Sequence, residues 1–372
     1  MSKRIFVIIL MSGVLLTMAL AACSVAPPPL PEPTFTPEIQ VEPVSVGLVT
    51  AIGGIEEKFF TKQAWQGIEK AQNLVPIEAS YEESATEADF AKGIDALTKQ
   101  GADLIITIGE EMTEATSEAA KAHPDTDFAI VDASSSAPNV RGIVFDVFGV
   151  SYMAGYLAGG MSQTGVVCTY GAADTKNASD FMTGFVNGAD YYRRQNGVDL
   201  EILGWNVNTK EGVLLNDQAS EEAGYHVAGD FFDRGCDVIF AAARDAAKGS
   251  AKAAQEEGKM FIGATVDWYE TFPEYGNVVL TSVMKNTDEA VFTTVISASA
   301  GSFRGGEDYV ADLNNNGVAL APYHLFDARV SQRLKDEVNQ VRENIQIGLL
   351  RPAEPWIYDK DNMPASEEEQ SK

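Results

Sequence analysis

The chain has little histidine, little cysteine and a shortage of positive charge. Its 372 residues include three histidines, three cysteines and 27 lysines and arginines against 54 aspartates and glutamates, for a formal net charge of −27. Such a surface repels nucleic acid and other polyanions, which argues against them as partners. His123, His226 and His324 stand far apart, without a cysteine or histidine at ligand spacing. The sequence therefore predicts no metal site and no cofactor.

The amino-terminal segment has the three parts of a secretory leader. Lys3 and Arg4 form a cationic start, an apolar run extends from Ile5 to Leu20, and small residues precede Cys23. This ending resembles the lipobox of bacterial lipoproteins, in which the cysteine is diacylated and becomes the mature N-terminus. We therefore predict a leader over residues 1–22 and a lipid anchor at Cys23, which holds a protein on a membrane without spanning it. A retained transmembrane helix is the alternative, because about 18 apolar residues can span a bilayer.

The segments that flank the globular part are polar. Residues 23–43 are rich in proline and carry few large apolar side chains, which predicts an extended tether; a disordered spacer without a function of its own is equally compatible with the composition. Residues 353–372 are polar and acidic, and we expect this tail to be loosely held.

Residues 44–352 alternate short apolar runs with helical periodicity, which is typical of βαβ units and parallel sheets. The length suits two lobes of about 150 residues each. We predict an α/β protein with two doubly wound parallel-sheet lobes joined by a hinge. The first lobe covers 44–147, with 284–320 returning to it, and the second covers 148–283, with 321–352. Ligands of such sheets bind at the carboxyl ends of the strands, so the site is predicted in the cleft between the lobes.

Two cysteines remain after Cys23. Cys168 and Cys236 both lie in apolar, strand-like contexts. Secreted folds that rely on disulfides carry more cysteines than this. We therefore expect two buried free thiols, with a single disulfide as the alternative.

The loop after the first predicted strand carries the most informative motif. Residues 50–61 include Gly53, Gly54, Lys58 and Phe60, and Gly67 follows. This pattern resembles the basic membrane protein family of nucleoside-binding lipoproteins, which are solute receptors of ABC importers with a type I periplasmic-binding fold. The resemblance continues in order and spacing through six further segments: 124–132, 138–140, 154–158, 184–189, 235–240 and 280–285.

The resemblance implies roles for several side chains. Phe60 would stack on a base, a contact worth about 1–3 kcal/mol. Thr61 replaces the asparagine of the family loop, Asp132 would accept hydrogen bonds from a polar ligand edge, and Lys285 would reach a ribose hydroxyl or a carboxylate. The alternatives are structural: Phe60 fills the core of the first helix, Asp132 caps a turn and Lys285 is a solvated surface charge.

Three positions depart from the family pattern. Ala51 replaces an acid of the first loop, Thr265 stands at the position of the ribose-binding acid, and Leu215 falls where a second stacking aromatic is usual. Because charge-assisted hydrogen bonds are about twice as strong as neutral ones, these changes favour a modified nucleoside or another small polar solute. Asp267 and Trp268 follow Thr265 closely, and we expect Trp268 to supply a replacement platform.

The sequence therefore predicts a monomeric, lipid-anchored extracytoplasmic receptor that binds a small polar solute and delivers it to an ABC permease, without catalysis. One alternative is a sensory lipoprotein of the same fold, whose partner is a receptor. The other is an extracytoplasmic hydrolase in which paired carboxylates such as Asp132 and Asp267 act as acid and base. A Gly-x-Ser-x-Gly nucleophile motif is absent from the sequence.

Overall fold

The computed structural model describes residues 43–352. The predicted leader, Cys23, the tether up to residue 42 and the tail from residue 353 lie outside the described residues. Within 43–352, the strands form two six-stranded sheets and one two-stranded ribbon, in agreement with the predicted pair of α/β lobes. In the same range, no helix combines the length and the apolar character needed to cross a bilayer.

The elements alternate along the chain as the sequence pattern indicates. The strands are β1 (Val44–Ile52), β2 (Ile77–Ser84), β3 (Leu104–Ile108), β4 (Asp127–Val131), β5 (Val140–Phe145), β6 (Val166–Gly171), β7 (Glu201–Leu203), β8 (Trp205–Asn206), β9 (Glu211–Gly212), β10 (Val238–Ala242), β11 (Met260–Thr265), β12 (Val279–Lys285), β13 (Tyr309–Ala311) and β14 (Val318–Leu320). The helices are α1 (Thr61–Gln72), α2 (Phe90–Gln100), α3 (Thr113–Ala122), α4 (Val147–Met161), α5 (Lys176–Asn196), α6 (Glu221–Asp233), α7 (Ala246–Glu257), α8 (Trp268–Thr271), α9 (Thr287–Ser299) and α10 (Gln332–Gln346).

The first sheet has the strand order β13-β5-β4-β3-β1-β2, and its pairs are parallel. Strand β3 is buried along its whole length, as expected for a central strand that is covered by helices on both faces. The predicted apolar stripe of α2, formed by Phe90, Ile94 and Leu97, is buried against this sheet. The helix ends at Gly101, whose φ of 82° is the left-handed conformation that glycine adopts without strain.

The second sheet has the order β14-β12-β11-β10-β6-β7, and its pairs are parallel except for β14, which runs antiparallel to β12. Its helices pack in pairs, α4 with α5 and α6 with α7. Glycines allow the close approach of both pairs. A Cβ at Gly155 would overlap the carbonyl oxygen of Phe185, and one at Gly249 would overlap that of Glu221. Helix α10 then covers the outer side of α4.

The chain passes between the two sheets after β5, after β12 and after β13. The predicted division of the carboxyl-terminal part differs from the structure in two places. Residues 284 and 285 still belong to β12 of the second sheet, and β14 at 318–320 pairs with β12 instead of returning to the first sheet. The returning segment consists of α9, which packs on α1, and β13. A three-residue antiparallel edge strand has too short a pattern to be assigned to a sheet from sequence.

The expectation of two free thiols is wrong. Cys168 on β6 and Cys236, two residues before β10, form a disulfide with an S–S distance of 2.04 Å and a Cα–Cα distance of 6.0 Å. Because β6 and β10 are hydrogen-bonded neighbours, the fold brings two cysteines 68 residues apart into contact. A low cysteine count excludes a disulfide-dependent scaffold, but it does not exclude a single bridge between adjacent strands.

Candidate functional site

Several non-glycine residues at the carboxyl ends of the strands have left-handed, strained backbone conformations. Asp132 after β4 has a φ of 64°, Arg244 after β10 has 43°, and Thr265 at the end of β11 has 77°. Left-handed backbone at non-glycine residues costs on the order of 1–3 kcal/mol each, and Thr265 is β-branched, for which this conformation is rarer still. Such strain clusters at functional sites, and here it lies at the predicted binding ends of both sheets.

An ion pair joins these two ends. Lys285, the last residue of β12, places its Nζ 2.7 Å from Oδ1 of Asp132 on the first lobe. The same ammonium donates to Oδ1 of Asn177 on α5 at 3.1 Å, and Nδ2 of Asn177 donates to Oδ2 of Asp132 at 3.2 Å. The Lys285 side chain is 1% exposed. The three side chains form a closed polar cluster across the junction between the lobes.

Burial sets the electrostatics of this cluster. Removal from water lowers the pKa of Lys285 below its usual value, and the neighbouring carboxylate of Asp132 offsets part of that shift. A buried ion pair is costly to break by removing one partner, because the other charge stays behind without compensation. The charges of Asp132 and Lys285 therefore depend on each other as long as the lobes stay together.

Aromatic rings surround the Lys285 ammonium. Its Nζ lies 5.5 Å from the ring centroid of Phe60 and 5.3 Å from those of Phe145 and Phe181. The guanidinium carbon of Arg244 lies 5.3 Å from the Phe60 centroid. Both distances to Phe60 fall within the range of cation–π attraction. Phe60, from the first lobe, is 2% exposed and thus contacts two cations of the second lobe from a buried position, so a solute would reach its ring only when the lobes separate.

The loop before α1 holds Phe60 in place. Gly53 and Gly54 have φ angles of 113° and 73°, which turn the chain after β1. The carboxylate of Glu57 then accepts hydrogen bonds from the amides of residues 59, 60 and 61 at 2.8–2.9 Å. An acid that binds the first amides of a helix also complements its dipole. Oγ1 of Thr61 accepts from the amide of Ala51 at 3.1 Å, so this hydroxyl is bound to the loop that it supports.

A second contact between the lobes lies beside the first. Nζ of Lys58 donates to the carbonyl oxygen of Thr271 at 3.3 Å and lies 4.9 Å from the Phe272 ring centroid. The Phe59 ring packs on Phe272 and on Trp268, with centroid distances of 5.8 and 6.4 Å. The loop that presents Phe60 therefore also supplies apolar contact to the second lobe.

The structure places Trp268 in the core. Its side chain is fully buried, its ring lies 4.5 and 4.9 Å from those of Phe272 and Phe261, and its Nε1 donates to the carbonyl oxygen of Ala264 at 3.0 Å. A Cβ at Gly263 would overlap the indole ring. These contacts leave the ring no free face, so a solute platform at this position would require the core to rearrange.

Asp267 has its own partners, away from the Asp132 cluster. Its Oδ1 accepts from the amide of Tyr269 at the start of α8, and its Oδ2 lies 2.8 Å from Nε2 of His324. The ring of Tyr269 stacks on that of His324 with centroids 4.0 Å apart. The two carboxylates of the hydrolase alternative thus have different cationic or polar partners, Lys285 for Asp132 and His324 for Asp267. Among residues 43–352, no group of three or more potential metal ligands comes together.

Three of the predicted side chains, Phe60, Asp132 and Lys285, meet in one cluster. Thr265 lies at the same end of the second sheet, whereas Thr61, Asp267 and Trp268 have structural contacts. Four residues that complete the cluster or support it were not predicted from the sequence, namely Glu57, Asn177, Phe181 and Arg244. Arg244 carried a usable signal, because it lies two residues after a buried strand and so near a carboxyl end.

The fold and this cluster define a two-lobed α/β binding protein whose polar side chains meet between the lobes. The profile of the family described as "Bmp: ABC transporter substrate-binding protein PnrA-like" matches residues 44–350. The chain therefore belongs to this family of ABC transporter substrate-binding proteins.

Known proteins agree with that assignment. A CD4+ T-cell-stimulating antigen of Listeria monocytogenes is 27% identical over 329 residues, which cover 83% of this chain and 88% of the antigen. An ABC transporter nucleoside-binding protein, BmpA, of Lactococcus lactis is 26% identical, with 82% and 88% covered. The crystal structure of an ABC transporter solute-binding protein from Aeropyrum pernix superposes with a TM-score of 0.69 at 19% identity, with 86% of this chain and 95% of that chain covered. The likeness to this structure shows the fold alone.

Proposed function

We propose that this protein is the lipid-anchored, extracytoplasmic receptor of an ABC importer, and that it binds a small nucleoside-like solute between its lobes. The observation that carries the proposal is the meeting of Phe60, Asp132 and Lys285 across the junction. These side chains come from both lobes, so a solute that contacts all three would link the lobes. Membership of a substrate-binding family supports the proposal that the protein delivers its solute to an ABC importer.

The contacts suggest how each side chain would act. The Phe60 ring would stack on the flat face of the solute, and Asp132 and Asn177 would exchange hydrogen bonds with its polar edge. The ion pair of Lys285 with Asp132 joins the two lobes at the junction. Entry of a solute would therefore replace these protein contacts with contacts of similar chemistry, and the free energy of closure would come from the solute.

The receptor would bind its solute and release it unchanged. Asp132 is held by Lys285 and Asn177, and in this role its carboxylate would accept hydrogen bonds from the solute. After closure, the protein would dock on the permease as a monomer. Incubation with a bound solute followed by chromatography tests this point, because a hydrolase would yield products.

The membrane anchor follows from the leader and the cysteine that ends it. Acyl chains contribute about 0.8 kcal/mol for each buried methylene, so a diacylated Cys23 would retain the protein on the outer face of a membrane. In cells, Cys23→Ala should move the protein from the membrane pellet to the soluble fraction. Retention of the variant in the pellet would contradict this part of the proposal.

Calorimetric titration with a panel of nucleosides, bases and sugars tests solute binding. A thermal-shift screen can select the candidates, since a ligand at about 100 times its Kd adds roughly 2.7 kcal/mol of stability. Phe60→Leu should weaken binding by about tenfold or more, in line with the 1–3 kcal/mol of a stacked base. Phe90→Leu, at another buried phenylalanine of the same lobe, is the matched control and should leave the Kd unchanged. Equal affinity of both variants would remove Phe60 from the site.

A further inference from the structure

Arg244 occupies an unusual place at the junction. It follows β10 by two residues, and its backbone has a φ of 43°, a conformation that glycine adopts more readily. If the only requirement here were a turn of the chain, glycine would adopt this backbone conformation with less strain. The side chain reaches from the second lobe to the first, where its guanidinium carbon lies 5.3 Å from the Phe60 centroid. The strain and the reach together indicate a side chain that is needed for what it contacts.

The charge of Arg244 is not matched by an acid. Carboxylates near the junction have cations of their own: Asp132 pairs with Lys285, Asp245 with Lys248 and Asp180 with Lys176. Over residues 43–352, no ion pair or hydrogen bond of the Arg244 guanidinium is found; the residue is exposed, so its charge is accessible from solvent, and its guanidinium lies over the ring of Phe60. Burial is the main cause that lowers the pKa of Lys285, and the positive charge of Arg244 adds a smaller lowering, so the two cations repel each other. Between the lobes, Arg244 thus supplies a cation without an anionic partner.

We infer that the solute carries an anionic group, a carboxylate or a phosphate, next to its flat ring, and that Arg244 binds this group. The inference rests on the proposed function and specifies the solute class for the same site. A guanidinium matches both anions with two parallel N–H donors, and it stacks on aromatic faces, which the Phe60 contact already shows. The flat ring of the solute and the guanidinium of Arg244 would then both contact the ring of Phe60.

The overall charge of the protein makes a local cation more important. With a net charge of −27, the surface as a whole repels anions. Lys285 cannot offset this repulsion, because its positive charge is paired with the carboxylate of Asp132. Affinity for an anionic solute would therefore depend on Arg244, and its removal should abolish the preference for the anion.

Calorimetry with matched pairs of solutes tests the inference. Adenosine and uridine are compared with their 5′-monophosphates, and nicotinamide with nicotinate, so that the phosphate and the carboxylate are separate arms. We expect at least one anionic member to bind tenfold or more tightly than its neutral partner. Arg244→Gln should abolish that difference, and Arg244→Lys should retain part of it. Arg234→Gln, at an exposed arginine of the same lobe that lies over Phe231, is the control and should retain the full difference.

The outcomes separate this inference from the proposed function. Binding of neutral members with equal or higher affinity would overturn the inference and leave the nucleoside-like receptor intact. An anion preference that survives in Arg244→Gln would also overturn it, because another group would then bind the anion. If neither member of any pair binds to the folded protein, both the inference and the proposed function fail.

Discussion

The inside of the second lobe and the junction between the lobes are held together in different ways. In the second lobe, helices touch through glycines, and a disulfide joins neighbouring strands. At the junction, the contacts are an ion pair, cations over aromatic rings and left-handed backbone. The interior of the second lobe is closely packed, as expected for contacts that persist throughout the life of the folded protein. The junction consists of polar and cation–π contacts, which a polar, flat solute would replace under the proposed function.

This difference separates two kinds of mutation. A change inside the second lobe should alter the free energy of unfolding and leave the solute affinity of the folded protein unchanged. A change at the junction should alter the solute affinity and leave the free energy of unfolding nearly unchanged.

Removal of the disulfide should have the largest effect. Cys168→Ala/Cys236→Ala releases a constraint between residues 68 apart, and such bridges contribute about 2–4 kcal/mol to the free energy of unfolding. Urea unfolding of the double variant measures the loss, and calorimetry should find the wild-type Kd. A loss below about 1 kcal/mol would mean that the lobe does not depend on this bridge.

The packing of α4 on α5 should come next. Gly155→Ala forces a methyl group against the carbonyl oxygen of Phe185, and overpacking of this kind costs about 1–3 kcal/mol. Gly229→Ala on α6 is the control, because no atom lies within 4 Å of its added Cβ. That variant should gain about 0.5–1 kcal/mol from the better helix propensity of alanine. Equal effects of the two changes would contradict the close approach of these helices.

At the junction, Lys285→Met should change binding more than stability. The proposed opening of the lobes would let water reach the remaining carboxylate of Asp132, so we expect a loss of less than about 1 kcal/mol in the free energy of unfolding, well below the 3–5 kcal/mol of a permanently buried pair. Solute affinity should fall by tenfold or more. Lys70→Met, which breaks the exposed pair with Glu289 inside the first lobe, should change neither quantity by a measurable amount. A large loss of stability in Lys285→Met would assign this pair to the lobe interior.

The smallest change in stability is expected at Asp127, the first residue of β4, which lies at the opposite end of this strand from Asp132. Burial raises the pKa of Asp127, with a smaller opposing effect of Arg141 and a reinforcing one of Asp103. Ionised Asp127 therefore costs stability, and the cost appears as the pH rises above the ordinary value of 3.8.

Asp127→Asn should accordingly raise the free energy of unfolding at pH 7, by a few tenths to about 1 kcal/mol, and change it little at pH 3. Urea unfolding at the two pH values measures the difference. Asp125→Asn, at an exposed neighbour, controls for the removal of one negative charge from an acidic chain. A variant that is less stable than the wild type at pH 7 would show that the attraction of Arg141 exceeds the cost of burial.

The sequence predicts the architecture well, because alternating strand and helix patterns record the local environment of each segment. The stripe of Phe90, Ile94 and Leu97 is an example of such a local signal. The pairing of Cys168 with Cys236 and the place of β14 depend on which strands become neighbours. That information is spread over the whole chain, and a single segment does not contain it.

The site was predictable only in part for the same reason. Phe60, Asp132 and Lys285 belong to motifs that keep the family pattern, and the fold brings them together. Trp268 follows a strand end, which predicts it at the site, but its ring is buried in the core and packs so closely on Gly263 that a Cβ there would overlap it. Asn177 and Arg244 lie outside the conspicuous motifs. Their roles appear only when the two lobes meet.

If the two lobes close on a solute through the contacts at their junction, the distance between them must depend on that solute. Spin labels at Glu114→Cys on the first lobe and Glu257→Cys on the second, in a Cys23→Ala background with the disulfide intact, report this distance. We expect a broad distribution of distances in the free protein and one short, narrow distribution once the tightest solute of the panel is bound. An identical distribution with and without that bound solute would contradict this closure.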